Sequence, residues 1–122
     1  MPIDYKKTTI RKSYLLKSTA ITTARRHLDA VLAKWQPAVL QQRPAKGWIR
    51  AIRDALGMTT AVLAARLNRA PATLVQFEHN EVAGNITLNS LQTVAEAMDC
   101  KLVYTLVPNT SLEDFVTAVA KE

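Results

Sequence analysis

A chain of 122 residues with 48% hydrophobic residues and a net charge of +6 is long enough for one packed core and too apolar to stay unfolded. No apolar run approaches the length of a bilayer span, which excludes a transmembrane helix and a membrane partner. The single cysteine, Cys100, cannot close an internal disulfide; without a Cys or His cluster it argues against structural zinc and suits a reducing cytoplasm, the expected location.

The charge is unevenly spread. Residues 1–53 carry twelve Lys and Arg against two acids, Asp4 and Asp29, whereas residues 54–122 carry four against eight. A solvated basic face gives such a split, and so does a surface that meets phosphate or an acidic partner. The first 18 residues hold lysines but no continuous apolar stretch and no small-residue cleavage site, so a signal peptide is not expected. Residues 1–17 lack periodicity and read as an extended arm with Lys6, Lys7, Arg11, Lys12 and Lys17. Ile21, Ala24, Leu28, Val31, Leu32 and Trp35 then recur at helical spacing, with Ser18 or Thr19 as cap. Pro37, Pro44 and Gly47 mark a linker. The expected division is a basic arm, helix and linker over residues 1–46, and a second domain over 47–122.

Short helices follow. Ile49, Ile52 and Leu56 form one stripe, closed by Gly57. Thr59 or Thr60 caps the next, with Leu63, Ala64 and Leu67 inward and Asn68 after it. Pro71 suits the first turn of a third helix, which carries Leu74 and Phe77 inward. HNEVAGN reads as a loop. Thr87 caps a fourth helix with Leu88, Leu91, Val94, Ala95 and Met98 on its inner face. In KLVYTLVP, residues 101–108, the period changes to two, which predicts a strand. Thr110-Ser111-Leu112-Glu113 reads as a capping box before a terminal helix with Leu112, Phe115, Val116 and Val119. A lone strand needs a partner. A second copy paired antiparallel would supply one; so would residues 10–16 of the same chain.

Residues 60–77 carry the most specific pattern. Two short helices crossing steeply need a small residue where the second packs on the first, and Ala64 fills that place. They need a turn residue that tolerates a left-handed backbone, and Asn68 is four positions on. Leu74 is the aliphatic anchor of the second helix, with Leu63, Leu67 and Phe77 completing the seam. Such a second helix can enter a major groove, although an ordinary helical hairpin has the same seam.

GWIRAIRDALGMTTAVLAARLNRAPATLVQFEHNE resembles the Xre or phage-repressor family. The leading stripe, the LAARL helix, the turn and the Phe77-Glu78 pair carry the likeness, over residues 47–98. Across nearly the whole chain the sequence is similar to the bacterial group called mobile mystery protein A. GWIRAIRDALGMTT, NEVAGNITLNSLQTVAEAMDCKLVYTLVP and TSLEDFV are the segments concerned. The resemblance implies a mainly α fold: a lambda-repressor-like helix-turn-helix bundle with an N-terminal helix and one C-terminal β-strand plus helix. It also implies binding to double-stranded DNA and a Fic-domain protein partner encoded alongside, the pair acting as toxin and antitoxin.

Carried over residue by residue, the resemblance gives Thr60 the phosphate-holding place where the family usually has Gln. Ala70 stands where the family usually has a capping Ser or Thr. Pro71 and Ala72 occupy the first reading positions; Ala72 retains only contact with a thymine methyl. Thr73, Val75, Gln76 and His79 face outward, with Gln76 the best candidate for bidentate contact with adenine. Arg69 is a phosphate contact beside the turn, and Glu78 accepts hydrogen bonds inside the bundle. So sparse a reading surface leaves specificity to DNA shape, or to Lys6, Lys7, Arg11 and Lys12 entering a minor groove.

Nothing points to catalysis. His27 and His79 are far apart and neither has an acid and nucleophile near it. Glu113-Asp114 suit the first turn of a capped helix. There is no P-loop and no GxGxxG, so no cofactor, metal or enzymatic activity is expected. The [S/T]xxxE[G/N] motif of Fic inhibitors is also absent. Two functions remain. One is a dimeric, autoregulating DNA-binding transcriptional regulator. The other is a protein-binding inhibitor module that clamps a partner through the basic N-terminal helix.

Overall fold

The computed structural model describes residues 19–121; the arm expected over residues 1–17, with Lys6, Lys7, Arg11 and Lys12, lies outside them. The described chain is mainly helical. Its helices are α1 (Thr19–Ala33), α2 (Trp48–Ala55), α3 (Thr60–Arg66), α4 (Pro71–Ala83), α5 (Leu88–Ala97) and α6 (Leu112–Ala120), with a 3₁₀ turn at Gln36–Leu40. Two units result: residues 42–104, and residues 19–41 together with 105–121. The division therefore differs from the expected boundary after residue 46. The C-terminal helix groups with α1 because α1 supplies its cap and its ion pair.

In residues 42–104, each helix stops at a left-handed residue: Gly57, Asn68, Gly84 and Asp99, at φ of 70, 55, 80 and 56°. In each case the next amide reaches five residues back: Met58 to Arg53 O, Arg69 to Ala64 O, Asn85 to Asn80 O and Cys100 to Ala95 O, at 3.0, 2.9, 2.8 and 2.8 Å. This is the Schellman closure, which satisfies carbonyls the helix leaves open. The starts are mixed. Thr59 Oγ1 accepts from Val62 N and Thr87 Oγ1 from Ser90 N. Ala70 gives α4 no side-chain cap, and Pro71 follows it. Ile49, Leu63, Ala64, Leu74, Val94 and Met98 form the buried core, with Ile52, Leu67, Phe77 and Leu91 packed against it. Leu63 and Leu74 are fully buried, each worth about 1.5–3 kcal/mol.

HNEVAGN is not a loop from its start. The helix runs on to Ala83 and stops at Gly84, because its last turn is held from outside. Arg43 donates to Glu81 O at 2.6 Å and to Val82 O at 3.2 Å, placing a cation at a helix C-terminus. The Glu81 side chain points inward, with the residue only 3% exposed. Its carboxylate accepts from Trp48 N at 2.7 Å and Ile49 N at 2.9 Å. Gly47, at φ 85° and ψ 161°, precedes these amides. A Cβ at Gly47 would lie 2.7 Å from Glu81 Oε1.

In the other unit, Val116 and Val119 of α6 are buried. The Asp29 carboxylate on α1 accepts from Leu112 N at 2.7 Å and Glu113 N at 3.3 Å. Ser111 Oγ accepts from Asp114 N. The capping box expected from Thr110 to Glu113 does not form, since Ser111 is the cap and Glu113 turns to Arg25, 3.0 Å away. Arg25 is accordingly the buried residue of α1. Leu28 and Val31, expected inward, are about half exposed.

The strand expected over residues 101–108 is corrected: no strand is present among the described residues. Period-two alternation fixes which side chains share a face, but a strand exists only when a neighbour completes its ladder. Nor do its even positions all point inward. Leu102 is half-buried, while Tyr104 and Leu106 are 69% and 89% exposed. Among the described residues no helix is long and apolar enough to cross a membrane.

Gly47→Ala is expected to destabilise the chain by about 1–3 kcal/mol. The backbone there lies in a region that L residues rarely enter, and the added methyl displaces the Glu81 carboxylate. Urea unfolding with an unchanged m-value and a lowered midpoint would register it; an unaltered midpoint would mean that the contact carries no stability.

Candidate nucleic-acid interface

The interface is built on α3, its turn and α4. Ala64 is fully buried at the contact between the two helices, where a larger side chain would hold them apart. Asn68 adopts the left-handed conformation expected of it, and Arg69 N closes the turn on Ala64 O. Leu74 enters the core, so the opposite face of α4 turns outward.

That outward face carries Ala72, Val75, Gln76 and His79, all exposed, at a spacing that aligns them along one side of a helix. Thr73 is half-buried and lies off the centre of that face. Thr60, the first residue of α3, is also half-buried, while Thr59 is its cap. Arg69 is exposed beside the turn. Gln76 Nε2 donates to Asn80 Oδ1 at 2.8 Å. That bond uses one N–H of the amide and leaves its oxygen and second N–H without a partner among the described residues.

Glu78 does accept hydrogen bonds inside the bundle. Arg53 Nε donates to Glu78 Oε2 at 2.8 Å and Nη2 to Oε1 at 3.0 Å, while Nη1 reaches Met58 O at 3.0 Å. The bidentate pair ties α2 to α4 one turn before Glu81. Bonding to Glu78 raises the Arg53 pKa above its already high value. The residue pattern does not reveal this pair, because Arg53 is one cation in a basic stretch.

Two further cations escape the residue pattern for the same reason. Lys46 and Arg50 line a groove of about 390 Å³ with Ala45, Val75, Glu78, His79 and Val82. Lys46 Nζ lies 2.8 Å from Asp54 Oδ2, and Arg50 Nε 3.9 Å from the same oxygen. The bond from Lys46 holds the Asp54 carboxyl below the usual carboxylate range. Of the site residues read from sequence, the structure thus brings Val75 and His79 together with this basic flank. Among the described residues no group of three or more His, Cys, Asp or Glu is arranged to hold a metal.

Arg53→Ala is expected to cost roughly 1–3 kcal/mol by stripping Glu78 of both charge-assisted bonds. Arg53→Met combined with Glu78→Leu should recover part of that loss, since the uncompensated carboxylate is gone. Thermal unfolding of the three proteins checks the order; a double variant no more stable than the single would contradict it.

Comparison with known proteins found no matching family model, no similar curated protein and no similar solved structure.

Proposed function

We propose that the chain is a sequence-specific DNA-binding transcriptional regulator with a lambda-repressor-like helix-turn-helix, acting as the autoregulating antitoxin of a pair with a Fic-type partner. One observation carries the reading of DNA binding. The outward face of α4 presents Ala72, Val75, Gln76 and His79 on a helix anchored from behind by Leu74 and Glu78. Gln76 is the base-reading residue and Arg69 a phosphate contact. The antitoxin role and the Fic partner rest on sequence resemblance alone.

The test is a gel shift of the full chain against the DNA upstream of its own gene, across salt concentrations. Affinity should fall steeply with salt. Gln76→Ala should cost about 1–3 kcal/mol on that DNA and little on random duplex, whereas Arg69→Ala should weaken both alike. No binding at low salt would reject the reading.

The regulator acts as a dimer through residues 101–107. Val103, Tyr104 and Leu106 expose large apolar surface on a segment without a ladder. A two-fold axis would let two copies of the segment complete each other. Two reading helices would then lie about 34 Å apart, matching a near-palindromic site. Sedimentation should give a dimer at micromolar concentration, retained when residues 1–17 are deleted. A monomer in either protein would sink this arrangement.

A second reading, a module that clamps a protein partner through α1, is favoured by a separate observation. Leu28 and Val31 expose apolar surface on that helix. Capture of the Fic-type partner by a protein that shifts no DNA would select this reading over the first.

A further inference from the structure

Resting on the DNA-binding reading above, we propose that the groove beside the second half of α4 is a seat for a backbone phosphate of the duplex, gripped by Lys46 and Arg50. The groove shares Val75 and His79 with the outward face of α4. A phosphate held there would be a neighbour of the bases that the same face reads.

The way the acids are used sets its chemistry. Glu78 lines the groove, but Arg53 holds both its oxygens and its side chain is only 12% exposed. Both oxygens are already shared with the Arg53 guanidinium and shielded from water, and Lys46 pairs with Asp54 instead. Asp54 serves Lys46 at 2.8 Å, Arg53 at 3.5 Å and Arg50 at 3.9 Å. Three cations therefore meet two carboxylates, and one positive charge is left over. His79, exposed beside them, adds a hydrogen-bonding side chain.

Lys46 and Arg50 are also open to solvent. Their side chains are 49% and 56% exposed, and the side chain of Asp54 is 41% exposed. Ion pairs this open to water are weak and screened by salt. A duplex phosphate offers more acceptor oxygens and releases condensed counterions when a cation neutralises it. It displaces Asp54 as the partner of Lys46 and accepts a second bond from the Arg50 fork. Asp54 is then a competitor of the DNA: it holds both cations when no duplex is present and opposes their transfer when one arrives.

The experiment is fluorescence anisotropy of the full chain with a labelled random-sequence duplex, between about 50 and 200 mM salt. Lys46→Gln combined with Arg50→Gln should weaken binding and make the slope of log K against log[salt] shallower by about 0.9 for each phosphate that is no longer neutralised. Asp54→Asn should do the reverse, tightening binding at every salt concentration. Opposite signs are required of a phosphate seat, whereas ion pairs that only brace the fold would give the same sign. If Asp54→Asn weakens binding as the double variant does, the seat is refuted. If the unaltered chain binds duplex and the double variant matches it in affinity and slope, the seat is refuted while the DNA reading stands. If the unaltered chain binds no duplex at all, both fall together.

Discussion

Nearly all of the central unit's geometry hangs on one buried carboxylate. Glu81 ends its side chain at the first amides of α2, although it lies 33 residues after Trp48. Two charge-assisted bonds and the positive end of the α2 dipole offset the cost of keeping that charge from water. Gly47 makes room for it, since any Cβ there would occupy the space of the carboxylate. One turn earlier on α4, Glu78 meets Arg53, so α2 and α4 are tied at two levels. Two ties fix an angle where one would leave a pivot. The angle of α4 then decides where Val75, Gln76 and His79 point, and Leu63, Ala64 and Leu74 seat α3 on the result.

The features legible in the sequence are the ones whose cause is local. Ala64, Asn68 and Leu74 are separated by spacings that a tight helical corner demands, and each lies where that demand puts it. Thr87 announces a helix start because its hydroxyl needs an amide three residues on. Glu81 could not be read this way. It sits in a polar-looking run, and its partners are backbone amides that no residue type advertises. The same holds for Asp29, whose carboxylate caps a helix more than 80 residues later. Once Asp29 and Ser111 supply that cap, Glu113 is released to Arg25, which is why the local capping pattern misled. The strand failed for a related reason. Alternation is written within residues 101–108, but a ladder needs a neighbour that the local pattern does not name.

Charge counted along the chain overstated what reaches the surface. Arg25 is buried against Glu113, Arg43 closes the end of α4, and Arg53 is committed to Glu78. Arg25 and Arg53 are thus internal fasteners, and Arg43, though exposed, is engaged by the carbonyls of a helix end. The acids are used up likewise, with Glu78 and Glu81 both turned inward. What the solvent meets around α4 is therefore more basic than the even balance of charges over residues 47–98 indicates.

The four left-handed stops of residues 42–104 bear on how the chain finds this arrangement. Each closure is made between residues five apart, so its hydrogen bond is a local one. Two of the stops, Asn68 and Asp99, have side chains that accept the conformation at some cost, while the other two are glycines that accept it freely. Most of what sets the helix lengths is therefore local, with Arg43 adding its hold on the end of α4. The search that remains is over docking angles between segments of settled length, a short-range problem of the kind that fast-folding helical proteins solve. The two inward carboxylates of α4 find their partners 25 and 33 residues back along the sequence, and they do so from the same helix.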